Sequence, residues 1–313
     1  RRSSSAASDV YKRQLFPFPS MDELYKACPS FPQSREFTAG VEEAFLNAKD
    51  VLKTVLDPLT QPLSWLLEGA LFIFLAAPWW IVVPLILMFV WYVCRSVAVT
   101  TFVTVSFAFL AFIDHLDAAL QTLAIIAVCT GICIILGVPV GIAMAKSNRF
   151  QRSLLPLLDL LQTLPTFVYL IPLIFLFSVT EPKLYGIAII VYAIVPVIRL
   201  TDLGIRLVDQ DVVEAANAFG MSSRQKLFGI ELPLALPNIM AGVNQTIMMS
   251  LAMVVIASLV SAPGLGVLVL RGIRNLELGV GLIAGLGIVL LAVILDRVSK
   301  AAIARVSSDQ TFK

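Results

Sequence analysis

Long apolar runs separated by short polar segments fill most of the chain after Glu68. A helix needs about 20 apolar residues to cross a bilayer. The pattern therefore predicts an all-α, polytopic membrane protein with about seven transmembrane helices. The predicted spans are, in chain order, Gly69–Cys94, Ser96–Ile113, Ala118–Ala145, Leu160–Thr180, Leu184–Ile198, Leu234–Val260 and Leu278–Leu295. The segment Ser261–Gly266, with the sequence SAPGLG, is expected to end the sixth span and turn the chain back.

The composition agrees with a bilayer as the surrounding medium. Hydrophobic residues make up 58% of the 313 residues, and charged residues only 14%. A soluble domain is typically about 25% charged. The net charge of +2 gives the chain no general attraction to nucleic acid, so no nucleic-acid partner is expected.

Four regions follow from the pattern. Residues 1–14 lack an apolar core and are expected to be a non-native head rather than a signal peptide. Residues 15–65 form a polar and amphipathic segment. Its amphipathic pattern fits a helix at the membrane interface and a helix in solvent equally well. Residues 66–300 form the transmembrane domain, and residues 301–313 a cytoplasmic tail.

Basic residues between the spans predict the orientation. With the N-terminus outside, the inner segments hold most of the basic residues, which are Arg95, Lys146, Arg149, Arg152, Arg199, Arg206, Arg224, Lys226, Arg297, Lys300 and Arg305. Short cytoplasmic loops carry such an excess of Lys and Arg. The polar stretch Glu214–Pro233 and the C-terminus are therefore expected to be cytoplasmic.

The polar stretch predicts two short helices around a corner. Asp211 is expected to cap a helix over Val212–Phe219, with Glu214 completing a capping box. Gly220 is expected in the left-handed conformation that ends many helices. Ser222 then caps a second helix together with Gln225, and Pro233 is expected to stop it.

The spacing of fixed residues in this stretch resembles the EAA loop of ABC-importer permeases. The positions that match are Glu214, Ala215, Ala216, Gly220, Ile230, Leu232 and Pro233. The resemblance implies that the loop is a coupling helix that docks on a cytoplasmic ABC ATPase subunit. It also implies that ATP and Mg²⁺ bind to that partner, so that this chain has no cofactor and no catalytic residue of its own. The chain itself lacks the G-x-x-x-x-G-K-[ST] motif that cradles phosphates.

Further segments resemble the permease subunits of glycine betaine/proline importers of the ProW type. They include PLLDLLQTLPTFVYLIPLIFLF and IELPLALPNIMAGVNQTIMMSLAMVVIASLV, and the resemblance covers roughly residues 60–300. It implies an osmoprotectant importer of the bacterial inner membrane, with two permease copies, two ATPases and an external substrate-binding protein. Thr166 departs from this family, which carries Ala there.

Polar and aromatic residues inside spans are candidates for the translocation path. Gln162 and Thr163, and further on Asn244 and Gln245, are polar groups for which lipid offers no partner. Phe167 and Tyr169 present aromatic faces that suit a quaternary ammonium. Helix–helix hydrogen bonding or plain packing explains the same residues and stays open.

Other functions fit the sequence less well. Choline, carnitine or another compatible solute or amino acid remains an alternative cargo for the same permease. An ion-coupled secondary transporter would need intramembrane carboxylates or matched broken helices in two halves. A membrane enzyme would need paired ionisable residues inside spans, and a metal site would need more ligands than the single histidine, His115, offers.

Overall fold

The computed structural model describes residues 34–311, with side chains over residues 37–305. The predicted head and residues 15–33 of the N-terminal segment lie outside the described residues. The α-helices are α1 Ser34–Ala76, α2 Trp79–Cys94, α3 Val97–Phe112, α4 Leu116–Lys146, α5 Asn148–Thr163, α6 Leu170–Leu176, α7 Pro182–Arg206, α8 Gln210–Ala218, α9 Ser223–Lys226, α10 Leu232–Ala257, α11 Leu265–Arg274 and α12 Leu278–Thr311.

The chain divides into two units, residues 1–52 and residues 53–313. The described part of the first unit is the start of α1, where Val41 and Val51 are exposed. All other helices belong to the second unit.

The all-α, polytopic prediction is confirmed for the described part of the chain, in which no strand occurs. Within residues 34–311, five helices are long and apolar enough to cross a membrane, and a bent helix pair would make a sixth span. The five are Phe37–Ala76, Leu116–Lys146, Pro182–Arg206, Ser223–Val260 and Leu278–Arg305. Two further apolar helices, α2 and α3, have 16 residues each.

The predicted first span is not continuous. Helix α1 ends at Ala76 and α2 begins at Trp79, so the helix breaks at Ala77 and Pro78. Pro78 has no N–H to donate, and its ring disfavours helical backbone in the residue before it. The prediction of one span over Gly69–Cys94 is therefore wrong, and Gly69 instead lies within the long helix α1.

The predicted fourth span is broken for the same reason. Leu164, which precedes Pro165, is extended with ψ 135°. Helix α5 ends before it, and a 3-10 turn, Thr166–Tyr169, follows and leads into α6. The two parts meet at an angle of 107°. The bend makes a corner in the membrane domain where the sequence suggested a straight helix.

The later spans keep their predicted places with longer helices. Helix α7 extends the predicted fifth span in both directions, and α12 continues through residues 301–311. The break after the sixth span is confirmed, because Ser261 and Gly264 have φ of 70° and 121°. Helix α11 then packs against α4 and α12.

Helices α4, α7 and α10 form the centre of the bundle, with α7 packed against both others. Small residues allow this close packing. A Cβ on Gly141 of α4 would lie 2.6 Å from the Thr201 Cβ and 2.7 Å from the Ile198 carbonyl oxygen of α7. Since lipid tails are as apolar as the side chains, such backbone proximity is a main source of helix association in membranes.

Candidate coupling site

The candidate coupling loop, residues 209–233, leaves α7 and enters α10. Its first helix, α8, begins at Gln210, and the Asp209 carboxylate accepts a hydrogen bond from the Asp211 N–H at 3.0 Å. The prediction that Asp211 caps this helix is therefore wrong by two residues. Both positions carry Asp, and only the backbone path out of α7 decides between them.

Gly220 forms the corner of the loop, as the sequence predicted. Its φ is +73°. The Met221 N–H donates to the Ala216 carbonyl at 3.1 Å, and the Gly220 N–H donates to the Asn217 carbonyl at 3.0 Å. These two bonds make a Schellman motif, which satisfies carbonyls left open at the end of α8.

The second helix of the loop begins with the predicted capping box. The Ser222 N–H donates to Gln225 Oε1 at 2.8 Å, and the Gln225 N–H donates back to Ser222 Oγ at 3.4 Å. Helix α9 then passes through a π-helical turn, Leu227–Glu231, into α10. The expectation that Pro233 stops the helix is wrong. The wider turn provides room for the proline ring and for its missing N–H.

Two large aromatic side chains of the loop are exposed, and a hydrogen bond joins its two helices. Phe219 is 88% exposed and Phe228 67% exposed. The Lys226 ammonium donates to the Asn217 side chain at 2.9 Å and joins the two helices. Glu214 and Ala215 are also exposed, whereas Ala216 faces inward. Sequence reasoning missed both phenylalanines, although large aromatic residues in a polar stretch are a signal for a binding surface.

Charged residues hold the base of the loop. Glu231 pairs with Lys146, and the Arg206 Nε donates to Asp202 at 2.8 Å. Glu231 and Asp202 are only 5% and 6% exposed. Asp159 of α5 pairs with Arg199 of α7. The sequence could not give these partners, because they come from different helices.

The candidates in the bent span lie on both sides of the bend. Gln162 and Thr163 end α5 and are exposed, and Phe167 in the 3-10 turn is exposed as well. Tyr169 is buried, and its hydroxyl donates to the Leu161 carbonyl across the bend. The Tyr169 and Tyr192 ring centroids lie 6.4 Å apart.

The two polar candidates in α10 face different ways. Asn244 accepts a hydrogen bond from Ser299 and donates to Asp296 at 3.4 Å, both on α12. This is the interhelical role that the sequence left open. Gln245 is exposed. Of this pair, only Gln245 has a side chain that reaches an open face of the helix.

A metal site and a reactive thiol find no support among the described residues. No three His, Cys, Asp or Glu residues between 37 and 305 lie close enough to hold a metal ion. Cys129 and Cys133 are buried, and Cys133 Sγ lies 3.7 Å from the Ile190 carbonyl oxygen. Buried free cysteines of this kind contribute to packing.

The bundle and its loop have the fold of an ABC-transporter permease. A chain of the MetNI methionine ABC transporter in an inward-facing conformation matches with a TM-score of 0.55 and 18% identity, over 61% of this chain and 95% of that one. Residues 137–308 match the family described as "Binding-protein-dependent transport system inner membrane component". The chain belongs to this family.

Curated relatives extend the similarity towards the N-terminus. The glycine betaine/proline betaine transport system permease protein ProW of Escherichia coli (strain K12) is 38% identical over 285 residues, 91% of this chain and 78% of that protein. The glycine betaine permease protein OpuAB of Bacillus subtilis (strain 168) is 42% identical, over 73% of this chain and 76% of its own length. The glycine betaine/carnitine permease protein GbuB of Listeria monocytogenes is 36% identical, over 83% and 89%.

Proposed function

We propose that this chain is the membrane subunit of an ATP-driven importer for glycine betaine and proline-type osmoprotectants. The observation that carries the proposal is the coupling loop. Its glycine corner at Gly220 and its capping box define its backbone, and Phe219 and Phe228 are large aromatic side chains exposed on it. The names of the relatives supply the cargo, since ProW, OpuAB and GbuB are all described as glycine betaine permeases.

The exposed side of the coupling loop is the docking surface for the ATPase. Aromatic residues dominate the energetics of most protein interfaces, and Phe219 and Phe228 are the large apolar side chains available on the loop. ATP and Mg²⁺ would bind to the partner subunit, and this chain would contribute no catalytic residue. Glu214, Ala215 and Gly220 shape the surface, while Ile230, Leu232 and Pro233 connect it to α10.

The complete importer would hold two copies of this chain, two ATPases and an external binding protein. The orientation in the bacterial inner membrane places the N-terminus outside and the coupling loop and C-terminus in the cytoplasm. Basic residues around the loop, among them Lys146, Arg149 and Arg206, support that orientation, because cytoplasmic segments are enriched in Lys and Arg.

The translocation path runs past the bend between α5 and α6. Gln162, Thr163 and, on α10, Gln245 are exposed polar groups that a bilayer would not solvate. Phe167, in the 3-10 turn, is an exposed aromatic group beside them. The 3-10 turn packs against α10, the helix that carries Gln245. An aromatic face such as that of Phe167 attracts a trimethylammonium group. Tyr169 supports the bend from the inside, and Asn244 fixes α12.

Transport would follow alternating access. Closure of the two ATPases on ATP moves the coupling loops, and the permease pair changes from inward- to outward-facing. The substrate enters from the binding protein and leaves on the inside after hydrolysis. A helix broken by 107° can rock at its break without unfolding a continuous helix.

Uptake of labelled glycine betaine tests the proposal. The chain is expressed with its ATPase and binding protein in cells that lack their own osmolyte importers, with carnitine, choline and proline as competitors. Saturable uptake that stops when the ATPase is inactivated is expected. If unlabelled carnitine inhibited this uptake more strongly than unlabelled glycine betaine does, carnitine would replace glycine betaine as the proposed substrate. Uptake that survives ATPase inactivation but stops with a protonophore would contradict the importer and favour an ion-coupled transporter.

A further inference from the structure

The two ends of the coupling loop are attached to the same short segment. This segment, which we call the α4–α5 corner, is residues 144–151, where α4 ends and α5 begins. The loop departs after Arg206 and returns at Glu231. Each of these residues bonds the corner, although 24 residues of loop separate them in the sequence.

The first attachment is made by Arg206 and by Asp202, its buried partner in α7. The Arg206 guanidinium donates to the Met144 carbonyl at 2.8 Å and to Asn148 Oδ1 at 2.8 Å. It also pairs with Asp202, which accepts a hydrogen bond from Gln151 Nε2 at 2.7 Å. A cation at the C-terminal carbonyls of α4 is favourable because the helix dipole is negative there.

The second attachment is the ion pair between Glu231 and Lys146, the last residue of α4. The Glu231 side chain is only 7% exposed, whereas the Lys146 side chain is 40% exposed. A buried carboxylate needs a charged partner, so this contact is costly to break. Glu231 also lies in the π-helical turn, at the point where the loop enters α10.

The corner continues directly into the bent span. Helix α5 is about 24 Å long, by its 16 residues. It ends at Gln162 and Thr163, next to the 107° bend. Along its length, Asp159 pairs with Arg199 and Leu158 packs against Met144 and Val195 of the neighbouring helices. A displacement of the α4–α5 corner would therefore be transmitted to the bend through helix α5.

We propose that Glu231 and Asp202 are positioning residues that make the coupling loop and helix α5 move as one body. The loop cannot shift relative to the α4–α5 corner without breaking the hydrogen bonds of Arg206 and Asp202 at one end and the Lys146–Glu231 ion pair at the other. ATP-driven movement of the loop is thus transmitted through α5 to the bend, where the candidate path residues lie. The inference rests on the proposed function, because it concerns how that transporter couples hydrolysis to transport.

The first test measures solute imported per ATP hydrolysed in proteoliposomes that contain the complete complex and the binding protein. Glu231→Gln and Asp202→Asn are expected to keep ATP hydrolysis and to lower this ratio about tenfold, the usual size of an allosteric coupling. The matched control is Lys300→Gln, which breaks the exposed pair with Asp296 within one helix. An unchanged ratio in both variants would overturn the proposal.

Charge exchange separates positioning from general damage. The double variant Lys146→Glu with Glu231→Lys keeps an ion pair in reversed order, and we expect it to recover much of the ratio that Glu231→Gln loses. If a buried-carboxylate variant does not assemble, Gln151→Ala removes one bond to Asp202 from a half-buried position. A normal ratio in Gln151→Ala, with no recovery in the exchanged pair, would also contradict the proposal.

A distance measurement decides the inference without any cargo. Spin labels at exposed Ser153 on α5 and Ser223 in the loop are placed in a background in which the native cysteines are replaced by alanine. The label-to-label distance should stay constant between the nucleotide-free and ATP-bound complexes, and change in Glu231→Gln. A distance that changes in the unsubstituted loop would refute one-body movement. Failure of betaine uptake would instead refute the cargo and leave this result standing.

Discussion

Lys183 of α7 and Asp57 of α1 form an ion pair with a distance of 2.7 Å between Nζ and Oδ1. The lysine side chain is 5% exposed, and it also lies 2.8 Å from Glu181 Oε2 and 5.2 Å from the Phe177 ring centroid. The two carboxylate side chains are about one-third exposed. The ammonium group is therefore buried while both carboxylates reach water, so only the charge on Lys183 requires its ion-pair partners for solvation.

This asymmetry predicts unequal effects of substitution. Asp57→Asn combined with Glu181→Gln should destabilise the protein by about 3 kcal/mol or more, because it leaves a buried ammonium without a counter-charge. Lys183→Met should cost less than about 1 kcal/mol, since the carboxylates that remain can be hydrated. Thermal unfolding of the purified protein in detergent measures both. Equal losses in the two variants would mean that the ammonium is not the buried member of the cluster.

The corner at Gly220 predicts a dependence on backbone conformation alone. A Cβ at this position would meet no atom within 4 Å, so only the φ of +73° opposes a side chain. Gly220→Val should weaken ATPase binding while membrane insertion stays normal, because a β-branched residue at positive φ is strained. Gly220→Asn should bind more tightly than Gly220→Val, since Asn enters the left-handed region more easily.

Co-purification of the ATPase with the permease measures this effect. Gly229→Ala in the same loop is the control, because its added Cβ meets only the Met221 methyl group at 3.7 Å. Full ATPase content in the Gly220→Val complex would show that the backbone conformation at Gly220 does not control ATPase docking.

The exposed phenylalanines predict where the binding energy lies. Phe219→Ala should lower the affinity for the ATPase by about 2 kcal/mol, the size of a typical interface hot spot. It should leave the melting temperature of the isolated chain unchanged, because the side chain is 88% exposed. Phe112→Ala is the matched control, since Phe112 is also 88% exposed but lies at the end of α3. Similar affinities for the two variants would exclude Phe219 from the docking surface.

The close approach of α4 and α7 predicts a steric effect. Gly141→Leu should destabilise the bundle by about 2 kcal/mol, because backbone and side-chain atoms of α7 lie within 3 Å of a Cβ at this position. Gly131→Ala in the same helix meets nothing within 4 Å and should be neutral or slightly stabilising. Unfolding in detergent again separates the two. A stable Gly141→Leu variant would mean that the helices can separate at this point at little cost.

Local signals in the sequence were sufficient for the loop's internal structure. The capping box of Ser222 and Gln225 and the positive φ at Gly220 depend on residues at most five positions apart. Such contacts follow from side-chain chemistry and backbone sterics within one turn. The sequence signals gave wrong predictions where one local pattern is compatible with two structures. Asp209 and Asp211 can both cap a helix, and Pro233 can end a helix or be accommodated by a π-helical turn.

The sequence by itself determined that the chain is all-α and membrane-embedded, and that its loop resembles that of an importer permease, because apolar run length and motif spacing are one-dimensional properties. Only the tertiary structure decided that α5 and α6 meet at 107°, that Asp159 pairs with Arg199, and that Glu231 reaches back to Lys146. These contacts join residues 40 or more positions apart. They exist because helix packing brings together charges from different helices, which no local sequence pattern contains.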